Sequence, residues 1–280
     1  MITLTAIWEN YMKSKIRQTL AKLGYYTKPD FIIIGAQKSG TTGLFDILDK
    51  HSCIASSAMK EVHYFDNDEW FNNNKIFEYH SVFPLPYKLN AKSKAFEASP
   101  MYIYHPEVAS RLHHYNPNLK LILSLREPAQ RAFSAWTMYH HHFKTGKYSY
   151  LHDPRTFSEA IAEEIIGIEK ESYYTNPISY VKRGIYHLQI EKYLEYFKKE
   201  QLLIFEANTL RKQPDQVLKT IQDFIDVPHE KLDFISSNSS KLNEKDKYKN
   251  DIISLQEFYK PYNEKLFNLL GERYDWNSNE

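Results

Sequence analysis

Three short apolar runs, each followed by a stretch with helical periodicity, dominate the hydrophobic pattern of this chain. The runs are Phe31–Ile34, Leu119–Leu125 and Leu202–Phe205, and the helical stretches are the face Leu44, Ile47 and Leu48 and the segments Pro128–His142 and Pro214–Ile225. Apolar runs of this length are typical of strands buried on both faces of a parallel sheet, and the first of them, Phe31–Ile34, is also β-branched. Strands that alternate with helices therefore predict an α/β fold of three layers, in which a central parallel sheet is flanked by helices.

The segments outside this alternation of strands and helices predict an N-terminal helical extension and irregular insertions. Residues 5–23 have the pattern of an amphipathic helix that ends at Gly24. Its apolar stripe consists of Ile7, Tyr11, Ile16, Leu20 and Leu23. Residues 66–96 and 143–180 are aromatic and lack periodicity, so we expect irregular insertions that face a substrate, and Ser236–Asn250 is expected to be a polar loop.

Length, composition and charge limit the domain count and the partners. With 280 residues and 42% apolar content, residues 1–280 are expected to form one domain, and residues 1–28 a helical extension to it. The 36 basic and 35 acidic side chains give a net charge of +1, so no overall field favours nucleic acid, and any anion site is local. Cys53 is the single cysteine, which excludes an internal disulfide. No apolar run approaches the roughly 20 residues of a membrane-spanning helix, and we expect a soluble, cytoplasmic protein.

A glycine-containing loop follows the first predicted strand and precedes a predicted helix. Its sequence, Gly35-Ala36-Gln37-Lys38-Ser39-Gly40-Thr41-Thr42, nearly matches the phosphate-binding loop G-x-x-x-x-G-K-[ST], but Thr41 occupies the lysine position and the lysine is Lys38. Enzymes that use ATP support Mg²⁺ with an Asp at the end of another strand, whereas here that strand is followed by Arg126. The pattern predicts a P-loop-like site for an anionic nucleotide, neutralised by side chains and without a metal. A loop that only shapes the strand-to-helix turn is the alternative.

A cluster of ionisable residues lies in Lys60-Glu61-Val62-His63-Tyr64-Phe65-Asp66. Alternation along an extended segment places Glu61 and His63 on the same side, where they could share a proton. Glu61 is our candidate general base for a neutral nucleophile, and His63 is the candidate residue that orients either Glu61 or the acceptor hydroxyl. A solvated ion pair is the alternative.

A second anion site is predicted where the strand Leu119–Leu125 runs into the next helix. Arg126 stands at the end of that strand and Ser134 lies two turns into the helix, so both could reach one phosphate. Glu127 and Arg131, one turn apart, are expected to pair within the helix. A surface ion pair is the alternative for Arg126.

Together these segments resemble the sulfotransferases that use 3′-phosphoadenosine-5′-phosphosulfate (PAPS), in the branch of the heparan sulfate N- and 3-O-sulfotransferases. The resemblance covers about residues 30–276 and continues through Arg183-Gly184-Ile185-Tyr186. It implies that PAPS is the donor and that no metal is needed, with Glu61, Lys38 and His63 as catalytic residues. The donor-binding residues that it implies are Gln37, Lys38, Ser39, Gly40, Thr41, Thr42, Arg126 and Ser134.

The resemblance also shows departures that bear on the acceptor. Ala98 stands where the polysaccharide enzymes often carry a basic residue. Members of the family also carry a Lys-Gly-Arg element late in the sequence, which covers the nucleotide, and this chain has no clear counterpart to it. Lys241, Lys245 or Lys247 could replace it, and Lys241 is our choice. Heparan sulfate itself is therefore not the expected acceptor. A carbohydrate is expected, and a lipid-linked or small-molecule hydroxyl compound is the alternative.

Aromatic residues near the motifs could line the acceptor cleft. Those considered are Tyr64, Tyr79, Tyr102, Tyr104, Trp136, Tyr139 and the run His140–His142, and from this set and the active-site motif we predict acceptor contacts for Asp66, Tyr102 and Trp136. Two other functions share part of the pattern. A Mg²⁺-dependent small-molecule or nucleotide kinase would share the loop, and a non-catalytic anion-binding protein would share the basic residues without needing Glu61.

Overall fold

A parallel sheet of five strands lies at the centre of the structure. The computed structural model describes residues 4–146, 151–168, 178–234 and 245–276. The strands are Phe31–Gly35 (β1), Ile54–Ser56 (β2), Lys94–Ala98 (β3), Lys120–Leu125 (β4) and Leu202–Glu206 (β5). Their order across the sheet is β2-β3-β1-β4-β5, and every neighbouring pair is parallel.

Helices fill most of the chain between the strands. In the described part of the chain the α-helices are Leu4–Lys22 (α1), Thr41–Leu48 (α2), Asp68–Asn72 (α3), Ile76–Ser81 (α4), Val108–Tyr115 (α5), Pro128–Thr145 (α6), Phe157–Gly167 (α7), Tyr186–Leu194 (α8), Ala207–Lys212 (α9), Pro214–Ile225 (α10) and Lys249–Leu270 (α11). Short 3₁₀ turns lie at Pro86–Lys88, Lys182–Gly184, Lys199–Gln201 and Asp246–Tyr248.

The side chains of β1 alternate between two hydrophobic cores, one on each face of the sheet. Ile32 and Ile34 point into a core that is closed by α5, α8 and the end of α11. Phe31 and Ile33 point into the opposite core, against α2 and α10. This period of two buries β1 completely, because both of its faces are covered by helices. The predicted three-layer α/β fold with a central parallel sheet is confirmed.

One strand and several helices lie where the sequence predicts irregular structure. The segment 66–96 contains α3, α4 and the beginning of β3, because Lys94 and Glu97 interrupt the apolar pattern by which we recognise strands. The segment 143–180 contains α7, which begins at a capping box between Thr156 and Glu159. Within the predicted polar loop Ser236–Asn250, residues 245–250 form a 3₁₀ turn and the first residues of α11.

The N-terminal helix forms as predicted, but its apolar stripe is misplaced. Ile16 is 56% exposed and Leu23 is 77% exposed, whereas Ala21 is buried where α1 packs on α4. The side chains of Ile7 and Tyr11 lie outside the described part of the helix, and in its described C-terminal half the buried face does not coincide with the predicted stripe. Across the described segments, no helix combines the length and the apolar character that crossing a bilayer requires.

Candidate active site

The glycine-containing loop joins the end of β1 to the start of α2. Gly35 packs so closely that a Cβ atom there would lie 2.5 Å from the Cγ2 atom of Ile103. Lys38 (φ 68°) and Gly40 (φ 81°) both adopt left-handed backbone angles, which fold the loop back upon itself before α2 begins. Thr41 is buried in the first turn of α2 and Thr42 is exposed beside it.

Contacts from the end of β4 hold this loop in place. The Ser124 hydroxyl donates to the carbonyl oxygen of Ser39 (2.8 Å), and Arg126 Nη1 donates to that of Lys38 (3.3 Å). Because β4 lies next to β1 in the sheet, the arginine that follows β4 comes directly beside the loop that follows β1. The structure thus brings Lys38 and Arg126 together, as the motifs predict.

The charges at the loop fit an anion. Burial, and then the charge of Arg126, lower the pKa of Lys38, while the Glu61 carboxylate raises it. The Ser39 hydroxyl is 1% exposed and has no hydrogen-bond partner. A bound anion would offset the repulsion between the two cations and would give the buried hydroxyl an acceptor. The residues present therefore fit the phosphate and sulfonate groups of a nucleotide donor.

Two of the predicted donor-binding residues have a less definite place. Ser134 is half-buried on α6, the helix that follows Arg126. Lys241 lies outside the described residues. Lys245 is described, and it lines a cavity of about 300 Å³ with Gln130 and Lys249, beside the N-terminal half of α6. The assignment of Ser134 and a late lysine to the nucleotide stays a prediction.

The predicted pair of Glu127 and Arg131 is not what α6 shows. The Glu127 carboxylate instead accepts the backbone N–H groups of Ala129 (2.9 Å) and Gln130 (2.7 Å), and so caps the N-terminus of the helix. Arg131 is completely buried and donates to the carbonyl oxygen of Tyr180. The prediction of an intrahelical ion pair is wrong, because Glu127 caps the helix and Arg131 binds a carbonyl oxygen outside it.

The segment with the candidate base lies beyond the end of β3. We call residues 61–66 the base loop. The N–H group of Glu61 donates to the carbonyl oxygen of Ala98 (2.8 Å), which ties the loop to the end of β3. Glu61 (φ 60°) and His63 (φ 54°) have left-handed backbone angles, so the segment is a compact turn and not the extended run that the alternation suggests.

Three side chains of the base loop form one ionic network. His63 Nδ1 lies 2.8 Å from Asp66 Oδ2, and His63 Nε2 lies 3.6 Å from Glu61 Oε2. Lys60 Nζ lies 2.5 Å from Glu61 Oε1. The predicted juxtaposition of Glu61 and His63 is confirmed, and the solvated ion pair that we considered as the alternative is present as well, between Lys60 and Glu61.

The pKa values of this network are displaced strongly in opposite directions. The hydrogen bond with His63 is the largest cause that lowers the pKa of Glu61 to about 2, against the effect of burial. Burial acts to lower the pKa of His63, but the bonds to Asp66 and Glu61 outweigh it and raise the pKa to about 10. At neutral pH an imidazolium ion therefore lies between two carboxylates.

The base loop and the glycine-containing loop border a common cleft with a volume of about 560 Å³. The cleft is lined by Gln37, Glu61, His63, Asp66, Asn67, Asp68, Pro100, Met101, Tyr139, Leu151 and Arg183. Gln37 connects its walls, because its amide donates to the Tyr139 hydroxyl (2.8 Å) and accepts from Arg183 Nη1 (3.0 Å). Chemically, the cleft offers the Glu61 carboxylate, and Gln37 in its wall belongs to the same loop as Lys38.

Comparison with known proteins identifies the family. A family model described as a sulfotransferase domain matches residues 28–279. The chain belongs to the sulfotransferase domain family. It is 27% identical to human heparan sulfate glucosamine 3-O-sulfotransferase 5, over 89% of this chain and 74% of that protein. It is also 27% identical to the membrane-associated sulfotransferase kil1 of Dictyostelium discoideum, over 89% of this chain and 66% of that protein.

A solved structure supports the fold. The sulfotransferase from Alicyclobacillus acidocaldarius superposes with a TM-score of 0.68 at 24% identity, covering 90% of this chain and all of that chain. The fold and the family match agree with the identification of this protein as a sulfotransferase and not as a kinase.

Two aromatic residues that we predicted to contact the acceptor lie in the core of this sulfotransferase. Tyr102 is 0% exposed and donates a hydrogen bond to Glu97, and Trp136 is 1% exposed and donates to the carbonyl oxygen of Arg155. Direct contact with an acceptor is therefore wrong for both. Asp66 does line the cleft, and so does Tyr139. Aromatic residues at helical spacing fill cores as readily as they line clefts, and the sequence alone does not separate the two.

The sequence reasoning assigned no role to two buried charged residues beside the cleft. Arg183 is 4% exposed and lines the cleft, with its guanidinium 4.8 Å from the ring centre of Tyr104. Glu97, at the end of β3, is 0% exposed. The signal available for Glu97 was an acidic residue inside an otherwise apolar segment, since a buried carboxyl group requires partners. No group of three potential metal ligands is found among the residues that the structure describes, including His140–His142.

Proposed function

We propose that this sulfotransferase transfers a sulfonate group from PAPS to a hydroxyl or amine of a carbohydrate, with Glu61 as the general base. The observation that carries the proposal is the arrangement of charges at one cleft. The cations of Lys38 and Arg126 lie in and beside the glycine-containing loop that borders this cleft, and the Glu61 carboxylate in the lining lies close enough to raise the pKa of Lys38. Donor and base are thus in reach of one reacting centre, which is the requirement for in-line transfer.

PAPS supplies a sulfonate group that is already activated by its bond to a phosphate. The loop around Lys38 and Ser39 would hold the 5′ end of this donor, and Arg126 with Ser134 would hold the 3′-phosphate that distinguishes it from ATP. Lys38 would stabilise the negative charge that grows on the departing phosphate oxygen. Since its pKa is lowered by burial and by Arg126, an anion beside it restores the favourable environment of its charge.

Glu61 would accept the proton of the acceptor. As the acceptor oxygen or nitrogen forms its bond to sulfur, the bond from sulfur to the phosphate oxygen breaks, and that oxygen leaves with the electron pair as 3′-phosphoadenosine-5′-phosphate (PAP). The attacking group becomes acidic as its new bond forms, so a carboxylate with a low pKa can take its proton at that stage. His63, held by Asp66, keeps Glu61 ionised and oriented.

The charge of the cleft indicates which carbohydrates fit. Glu61, Asp66 and Asp68 contribute three carboxylates to its lining, whereas Arg183 contributes one guanidinium and His63 one imidazolium. Asp66 Oδ1 is buried without a hydrogen-bond partner, so an N–H or O–H group of an acceptor would satisfy it. A neutral or amine-bearing sugar therefore fits better than a polyanion. The human and Dictyostelium relatives include an enzyme named for glucosamine, which agrees with an amino sugar.

The experiment follows the transfer of radiolabelled sulfonate from PAPS to chitotetraose, which offers amines and hydroxyls, and to tetra-N-acetylchitotetraose, which offers hydroxyls and amides. Glu61→Gln should lower turnover by about 10²- to 10⁴-fold, the usual contribution of a general base, and leave PAP affinity unchanged in calorimetry. Glu69→Gln, at an exposed position of α3 outside the cleft, is the matched control and should retain turnover. A wild-type protein that binds PAP without labelling either sugar would contradict the acceptor class. Unchanged turnover in Glu61→Gln would contradict the base.

A further inference from the structure

A second carboxyl group lies underneath the base loop, outside the cleft. Glu97 is the next-to-last residue of β3, and its side chain is completely shielded from solvent. Within the described residues it forms no ion pair with a basic side chain. Its partners are three hydroxyl groups: Tyr79 (3.1 Å) and Tyr102 (2.9 Å) donate to Oε1, and Ser99 (2.7 Å) donates to Oε2. In the described part of the chain, all hydrogen bonds to this buried carboxylate thus come from hydroxyl groups.

Two of these hydroxyl groups also hold the backbone of the base loop. The Tyr102 oxygen accepts the N–H groups of Tyr64 (3.2 Å) and Phe65 (3.4 Å), and the Ser99 oxygen accepts the N–H group of His63 (3.4 Å). A backbone N–H group can only donate, so each hydroxyl oxygen has to accept from the loop. The single proton of each hydroxyl is then directed to Glu97.

We propose that Glu97 is a positioning residue for sulfonate transfer, whose ionised carboxylate fixes the base loop through the hydroxyl groups of Ser99 and Tyr102. Through these two hydroxyl groups Glu97 determines where Glu61, His63 and Asp66 lie relative to the cleft. The inference rests on the proposed function, because it takes Glu61 to be the base. Glu97 itself touches neither the acceptor nor the donor.

The protonation of Glu97 changes this arrangement. A protonated carboxyl group carries a donor of its own, and the groups at hand to accept it are the same hydroxyl oxygens. The hydroxyl that accepts it has to turn its own proton away, and its bonds to the base loop weaken. Burial is the largest cause that raises the pKa of Glu97 to about 7, with the Asp66 carboxylate adding to it and the three hydrogen bonds opposing it. The groups that face Glu97 are Asp66, Tyr79, Tyr102 and, more distantly, Tyr115.

The ionised form should therefore be the active one, and turnover should rise with pH through about 7. Neither Glu61 nor His63 titrates in that range, since the pKa of Glu61 is about 2 and that of His63 is about 10. Glu97→Gln removes the titration and places an amide donor where the protonated acid would have one. It imitates the low-pH form at every pH.

The test measures the release of PAP from PAPS between pH 5.5 and 9. One series contains tetra-N-acetylchitotetraose, an acceptor that has no titrating group. A second series contains no sugar, so that water is the only acceptor. For Glu97→Gln we expect kcat at pH 8 to fall by about 10- to 100-fold, the range for a displaced catalytic group, with an unchanged Kd for PAP. The ratio of wild-type to variant kcat, in which any ionisation of PAPS cancels, should rise through pH 7 and then level off.

A pair of tyrosine variants distinguishes positioning from stability. Tyr79 and Tyr102 are both 0% exposed and both donate to Glu97 Oε1, but only Tyr102 accepts N–H groups from the base loop. Tyr102→Phe should lower kcat and Tyr79→Phe should not, although both lower the melting temperature. Equal kcat losses in the two variants would overturn the inference, as would a pH-independent ratio for Glu97→Gln. If Glu97→Gln does not fold, the tyrosine pair alone decides. A wild-type protein that neither binds PAP nor releases it from PAPS would refute the proposed function instead.

Discussion

Arg126→Ala should weaken the binding of PAP much more than that of ADP. The guanidinium has two roles: its Nη1 atom donates to the Lys38 carbonyl oxygen (3.3 Å), and its charge lowers the pKa of Lys38. The proposal gives it a third, the pairing with a 3′-phosphate that PAP has and ADP lacks. A hydrogen bond to a charged group contributes about 1.5–3 kcal/mol, which corresponds to about 10- to 150-fold in Kd.

ADP measures the other two roles of Arg126. Loss of the bond to Lys38 loosens the loop for both nucleotides, and removal of the neighbouring cation weakens the attraction of the site for an anion at the 5′ end. Neither effect removes a direct partner of ADP, so we expect the Kd for ADP to rise by less than about 5-fold, equivalent to about 1 kcal/mol. Calorimetric titration with both ligands in EDTA gives the comparison. Arg273→Ala, whose guanidinium pairs with Glu264 on the surface, is the matched control. Equal losses for PAP and ADP would refute the assignment of Arg126 to the 3′-phosphate.

Three further outcomes test the packing, the charges and the chemistry. Gly184→Ala would place a Cβ atom 2.6 Å from Tyr259 Cζ, so its unfolding free energy in urea should fall by about 1–3 kcal/mol, whereas a stability equal to wild type would contradict the packing. The pKa of Glu61 is lowered from 4.5 to about 2, so its stabilisation is present above pH 4.5 and lost as the pH falls through 2. The pKa of His63 is raised from 6.5 to about 10, so its stabilisation is complete below pH 6.5 and lost as the pH rises through 10. Thermal melts of Glu61→Gln should show a shallower loss of stability in acid than wild type, because other carboxylates with lowered pKa values remain, and an identical acid dependence would count against the network. EDTA should leave turnover unchanged, because Arg126 replaces the acidic strand end of Mg²⁺ enzymes; activity that EDTA removes and Mg²⁺ restores would contradict this.

The sequence predicts those parts of the fold and site that local pattern encodes. Strands β1, β4 and β5 consist mostly of apolar residues, and all three lie where predicted. Strand β3 was missed because Lys94 and Glu97 interrupt it, although its neighbours in the sheet bury most of it. Lys38, Arg126 and the Glu61–His63 pair could be identified because each stands within a short motif whose spacing reflects its chemistry.

Long-range contacts set the remainder, and a single sequence does not reveal them. Arg183 reaches Gln37 across 146 residues of chain, and Tyr102 meets the N–H group of Tyr64 across 38. An aromatic side chain has the same local pattern whether it fills the core or lines a cleft, which is why Tyr102 and Trp136 were assigned to the acceptor. In both cases the decisive quantity is burial, and burial depends on the packing of elements that are distant in sequence.

Strand order explains why distant motifs meet at one cleft. In the order β3-β1-β4, the three carboxyl ends lie side by side, and each contributes one part of the site. The loop after β1 carries Lys38, the residue after β4 is Arg126, and the end of β3 ties down the base loop through Ala98 and Ser99. The last residues of β3 therefore lie beside the candidate site, as the loop after β1 does. For this reason a strand residue such as Glu97 can orient the base, and the sheet that supports the two loops also determines their relative placement.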